Sequence, residues 1–134
     1  MRFKFSFAVA AFAVMSLTFS AWAHHSHGAY VDTFTDIQGV VKEVHLVVPH
    51  SWVYIEVKNP KGGEPDIWAL EATGRTGLER VGITATTVNV GDTIKARCHR
   101  LRDGSNGCLL GFLKAKDGSV KDWDGNSAPP PADF

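Results

Sequence analysis

The chain has 134 residues and carries 14 basic and 14 acidic side chains, with no net charge at neutral pH when its six histidines are neutral. A balance of that kind gives no sign of the cationic excess that drives nucleic-acid affinity, so no nucleic-acid partner is expected. At this length one ordinary domain is expected.

The first segment has the three-part plan of a secretory signal peptide, residues 1–23. Arg2 and Lys4 precede an apolar run from Ser6 to Phe19, and Ala21 and Ala23 place small residues at the cleavage site. The run is too short for the roughly 20 apolar residues of a transmembrane helix. No second run follows, so no stable membrane span is expected in the mature chain, which would be periplasmic or secreted. Cleavage after Ala23 leaves 111 residues beginning at His24. It also removes the two basic leader residues, leaving 12 basic against 14 acidic, a net of −2.

A histidine-rich arm, residues 24–33, follows with "HHSH", and a single β domain is expected over residues 34–123. A long first strand is predicted from about Asp36 to Val48, with Val40, Val44, Leu46 and Val48 on one face, Glu43 and His45 on the other, and a bulge or bend at Gly39. Pro49-His50-Ser51 turns the chain into "WVYIEVK", a half-buried strand in which Val53, Ile55 and Val57 alternate with Trp52 and Tyr54. After the turn "NPKGGEP", the stretch "DIWALEA" makes a third strand with Trp68 and Leu70 on one face and Ile67, Ala69 and Glu71 on the other. Thr73 is placed to cap a short helix over "GRTGLERV" that Gly82 stops.

Two further strands, "TIKARCHRL" and "CLLGFLKA", flank the turn signals Asp103-Gly104 and Asn106-Gly107, and "SVKDW" adds a short edge. Cys98, with Ile94 and Ala96, falls on one face of the fourth strand; Cys108, Leu110 and Phe112 share a face of the fifth. In an oxidising compartment the hairpin favours a Cys98–Cys108 disulfide closing a loop worth at most about 3 kcal/mol. Two free buried thiols, or a metal pair with His99, are the alternatives. The tail, residues 124–134, has three successive prolines and no periodicity and reads as disordered. Three strands, a short helix and two strands is the order of a small five-stranded barrel of the oligonucleotide/oligosaccharide-binding (OB) type, all-β with one short helix. An open antiparallel sheet or small sandwich is the alternative.

The landmarks "HHS" at the mature start, "PHSW" over residues 49–52, "WALE" over 68–71, "GD" at Gly91-Asp92 and "RDG" over 102–104 resemble those of a family of small exported bacterial proteins catalogued only as a domain of unknown function. The resemblance covers most of residues 24–121 and implies export and a β-rich fold. It supplies no activity. Val48 stands where that family has Asn before Pro-His, and the cysteine pair is not a general feature of it, which suggests a local staple.

Function must therefore be argued from the histidines. Cleavage after Ala23 frees an amine on His24 with a pKa near 7.7 to 8.0. The amine and its own imidazole chelate one ion together, and His25 or His27 adds further nitrogen. Such a set suits Cu(II) first, with Zn(II) or Ni(II) behind it; no organic cofactor is expected. A start at Ala23 instead would put His25 third. His50, beside Trp52, is the candidate closing ligand if the arm folds back on its turn, with His27 or Glu71 as a further member of the set. His45 on an outward face and His99 amid arginines are weaker candidates. A solvated end without a ligand is the bland alternative.

An enzyme is disfavoured. A histidine chelate at the amino terminus is shared with copper oxygenases that attack polysaccharides, but no flat aromatic substrate face is evident, no Ser/His/Asp set is present, and Glu71 with Asp92 reads as ordinary strand-end charge. The expected function is an exported module that binds a metal ion or a small envelope ligand. In the metal-free alternative, Trp52 and Tyr54 stack on a glycan, a small ligand or a protein partner.

Overall fold

The computed structural model describes residues 28–134; the expected leader and His24, His25 and His27 lie outside them. Six strands and one helix follow in order: β1 (Tyr30–His45), β2 (His50–Val57), β3 (Asp66–Thr73), α1 (Arg75–Arg80), β4 (Thr93–Leu101), β5 (Gly107–Lys114) and β6 (Val120–Asp122). The sheet order is β3-β2-β1-β4-β5-β6, and a parallel pairing of β3 with β5 closes the first five strands into a ring. This is the OB-type barrel, with the helix between the third and fourth strands. Closure removes the free edges an open sheet would leave, and the open-sheet and sandwich alternatives fall with it.

Length in β1 is what makes the ring possible. Its first part, Tyr30 to Val40, pairs with β4, and its second, Val40 to His45, pairs with β2. The strand therefore begins six residues earlier than the sequence predicts and ends at His45 rather than Val48, so residues 30–33 belong to the barrel and not to the arm.

Two bulges change which side chains face the core. A register shift between Val41 and Glu43 flips β1, so Val41 is wholly buried while Val40, expected inside, is exposed; Val48, also expected inside, is exposed because it lies past the end of the strand. Gly39 is not the bulge; a Cβ there would lie 2.6 Å from Glu56 O, so glycine lets β1 and β2 approach. In β5 the register slips across Gly111, which puts Leu113 rather than Phe112 in the core.

Alternation otherwise holds. Val53, Ile55, Leu70, Ala72, Ile94, Ala96, Leu110 and Leu113 fill the interior, with Leu78 of α1 and Ile83 in the same cluster. Each such burial is worth roughly 1.5–3 kcal/mol for the larger side chains. Cys98 and Cys108 are disulfide-bonded in this core.

The helix starts at Arg75 with Gly74, not Thr73, at its N-cap. Gly74 packs so tightly on the β1–β2 connection that a Cβ would come within 2.6 Å of Pro49 O. Arg75 N donates to Val47 O at 2.9 Å and Ser51 Oγ donates to the same oxygen at 3.3 Å. The connection, which contains a cis Val48–Pro49 bond, is thereby fixed just before His50.

Residues 124–134, expected to be disordered, have defined contacts. Buried Asp122 accepts the backbone N–H groups of Asp124, Asn126 and Ala128 at 2.8–3.1 Å, which turns the chain. Asp133 then meets Arg97 at 2.7 Å, and the Phe134 ring lies 4.9–5.4 Å from the cationic groups of Lys95, Arg97 and Lys114. Composition alone missed this because the partners are on β4 and β5, not in the tail.

Candidate functional site

Period-two alternation in β2 sends Ser51, Val53 and Ile55 inward and His50, Trp52 and Tyr54 to the outer surface. Trp52 stands opposite His45 on β1 and opposite Glu71 on β3, while Tyr54 stands opposite Glu43 and Ala69. The three strands thus assemble one face from residues that the sequence treats as separate candidates. Trp52 and Tyr54 stack with ring centroids 6.4 Å apart at 20°, and His45 meets the Tyr54 edge at 5.7 Å. His45 Nε2 lies 2.8 Å from Glu43 Oε2.

On the other side of Trp52, His50 Nδ1 lies 3.1 Å from Glu71 Oε1. The second oxygen, Glu71 Oε2, accepts the hydroxyl of Tyr30. Outward alternation alone would leave Glu71 in water. It is buried because Tyr30, at the start of β1, extends to it and because β3 is an interior strand of the ring. Burial, reinforced by the hydrogen bond to Glu71 and that carboxylate's charge, pushes the Tyr30 phenol well above its ordinary pKa. Tyr30 was missed by sequence reasoning; the available signal was its place three residues after His27, at the root of the arm.

Among the described residues, no three His, Cys, Asp or Glu side chains converge as a metal set. His50 and Glu71 form a pair, and His24, His25 and His27 lie outside the described residues. His99 is elsewhere, stacked on Phe34 at 4.1 Å. Asp92, weighed with Glu71 as a carboxylate pair, instead accepts Asn89 N at 3.0 Å in its own loop.

The arginines of β4 also separate. Arg97 is bidentate to Asp36 and meets Asp133, contacts that raise its pKa and hold both carboxyls below the usual carboxylate range; Arg100 lies over Trp68 at 4.8 Å. No helix among the described residues is long and apolar enough to cross a membrane.

A family model described as a family of unknown function, DUF6152, matches residues 11–110. No curated protein matches the chain. Among solved structures the chain is similar to the mitochondrial single-stranded DNA-binding protein Rim1 of S. cerevisiae, with a TM-score of 0.48 and 8% identity over 62% of this chain and 92% of that one. A selenomethionine-labelled structure of Rim1 gives a TM-score of 0.45 and 9% identity, with the same coverage.

Proposed function

The chain belongs to the DUF6152 family of unknown function, and on that premise we propose that it is an exported, non-enzymatic module that binds a divalent transition metal, Cu(II) before Zn(II) or Ni(II). The ligands are the His24 amine and imidazole, His25 and His27, with His50 closing the set. The observation that carries this reading is the Tyr30–Glu71–His50 chain of contacts.

Glu71 beside Nδ1 favours the proton on that nitrogen, which leaves the Nε2 lone pair of His50 for a metal. A carboxylate behind a histidine is the usual outer-shell partner of a metal ligand. Glu71 is therefore a positioning residue rather than a ligand, and Tyr30 holds it in place. The arm also starts where it needs to. His27 precedes Tyr30 by three residues, a span of at most about 11 Å. Export supplies the free amine, because His24 becomes terminal only after the leader is removed.

The test is Cu(II) competition against a chelator of known affinity, on protein processed by its own leader with the start checked by intact mass. One-to-one binding should collapse in a His24→Ala/His25→Ala/His27→Ala variant and weaken by about 10–100-fold in Glu71→Gln, the range typical of outer-shell losses. Weak binding shared by all three proteins would sink the reading.

The second reading is a glycan or other ring-bearing ligand on Trp52 and Tyr54. It is favoured by their parallel stacking on a partly exposed face flanked by polar side chains. Glycan capture that survives loss of the arm but not Trp52→Ala would select it.

A further inference from the structure

The outer surface of β4 and β5 holds a second feature, apart from the Tyr30–Glu71–His50 contacts. A groove of about 280 Å³ runs between β1, β5 and the chain after β6, lined by Phe34, His99, Phe112, Asp122, Asp124 and Asn126 among others. We propose that this groove binds a compact organic cation, an alkylammonium with a small apolar body.

The first wall is aromatic. Phe34 is 51% exposed, yet its pose is fixed, since it stands opposite His99 in register and stacks on that ring at 4.1 Å and 30°. A single exposed apolar side chain needs no explanation. This one differs because the bulge residue beneath it makes room for it: a Cβ at Gly111 would lie 2.8 Å from Phe34 Cε1. The half-exposed ring lines the groove, and an aromatic face attracts cations.

The second wall is acidic. Asp122 is held by three backbone N–H groups, and Asp124 Oδ2 accepts the Asn126 side-chain amide at 2.7 Å. Two carboxylates and no lysine or arginine line the groove. Arg97, two residues along β4 from His99, is tied to Asp36 and Asp133. That lining disfavours phosphates and carboxylates and complements a positive charge.

Size narrows the class. The groove, at about 280 Å³, lies just under the roughly 300–1,000 Å³ of pockets for drug-sized ligands, so it suits a small molecule.

The experiment is an NMR titration of the processed full chain with choline and, separately, with its neutral isostere 3,3-dimethyl-1-butanol, following the amides of Gly111, Phe112, Asp124 and Asn126. Saturable shifts with choline, at least about tenfold weaker with the isostere, are expected. Phe34→Leu keeps an apolar side chain and removes the ring, and should weaken choline by about tenfold. Gly111→Ala, which displaces the ring without touching Phe34 itself, should do the same, whereas Trp52→Ala should leave choline binding unchanged. Equal binding of the isostere, indifference to Phe34→Leu in a folded variant, or the absence of saturable shifts would each overturn the proposal. None of these outcomes bears on Cu(II), so this inference and the metal reading fail separately.

Discussion

The two outer faces of the barrel share β1 and differ in what they do with charge. On the β1-β2-β3 face, Glu71 is buried between Tyr30 and His50, and the adjacent Trp52 and Tyr54 are left partly open. On the β1-β4-β5 face, the charges are more numerous and partly open to solvent, with Lys95 and Arg97 on Asp36, Asp133 on Arg97, and Phe134 among three cations. Buried polar contacts hold a specific arrangement because leaving them unmade is costly; exposed pairs are screened and contribute little. The first face is thus held by a buried chain of contacts, and the second carries the groove beside Phe34 and the surface on which the chain's own tail rests.

The largest expected effect tests what the faces have in common. A Cys98→Ser/Cys108→Ser variant opens a loop of sequence separation 10 and should lose about 2–3 kcal/mol in urea unfolding. Because β4 and β5 close the ring, both faces should unfold in one transition. Separate transitions for the Trp52 indole and Phe134 ring NMR signals would break the comparison at its base.

Tyr30→Phe comes next and should act on one face only. It strands a buried Glu71 oxygen and should cost about 1–3 kcal/mol, with altered His50 ring nitrogen shifts and unchanged Phe134 resonances. The wild-type phenol has a raised folded-state pKa, so its contribution is complete below the unfolded value near 10 and is lost as pH rises through the folded one. Tyr30→Phe should flatten that alkaline loss, which pH-dependent unfolding measures.

Acid should act on the other face. The Arg97 hydrogen bonds lower the pKa of Asp36 and Asp133 from 3.8. Their contribution is present above the unfolded value and is lost as pH falls through the depressed ones. Phe134 ring shifts should therefore move toward those of a free tail well below pH 4 while the Trp52 environment holds. The smallest effect belongs to Phe134→Ala, whose stability change should be hard to detect in urea although the Lys95 and Lys114 side-chain resonances shift. A large loss of stability there would show that the tail is structural.

Alternation and turn chemistry made much of the barrel legible. The inward set of β2, the two central core residues of β3, the helix position and the cysteine pairing follow from period two, from Gly and Asp-Gly punctuation and from hairpin reach. The site was legible only in pieces. His50, Trp52 and Tyr54 read as alternative candidates because local spacing does not reveal that they share a surface with Glu71. Tyr30 carried no local signal beyond its place at the root of the arm, since its partner is 41 residues away.

By itself, then, the sequence determined the number and type of the elements, the inward face of the regular strands and the staple between β4 and β5, because these depend on neighbours a few residues apart. Tertiary structure decided the rest. The bulges at Val41–Glu43 and Gly111 reversed the inward face partway along two strands, ring closure buried Glu71, and β4 and β5 supplied the cations that hold Asp133 and Phe134. Each of those outcomes is fixed by a strand distant in sequence, through register and hydrogen bonding that no local pattern encodes.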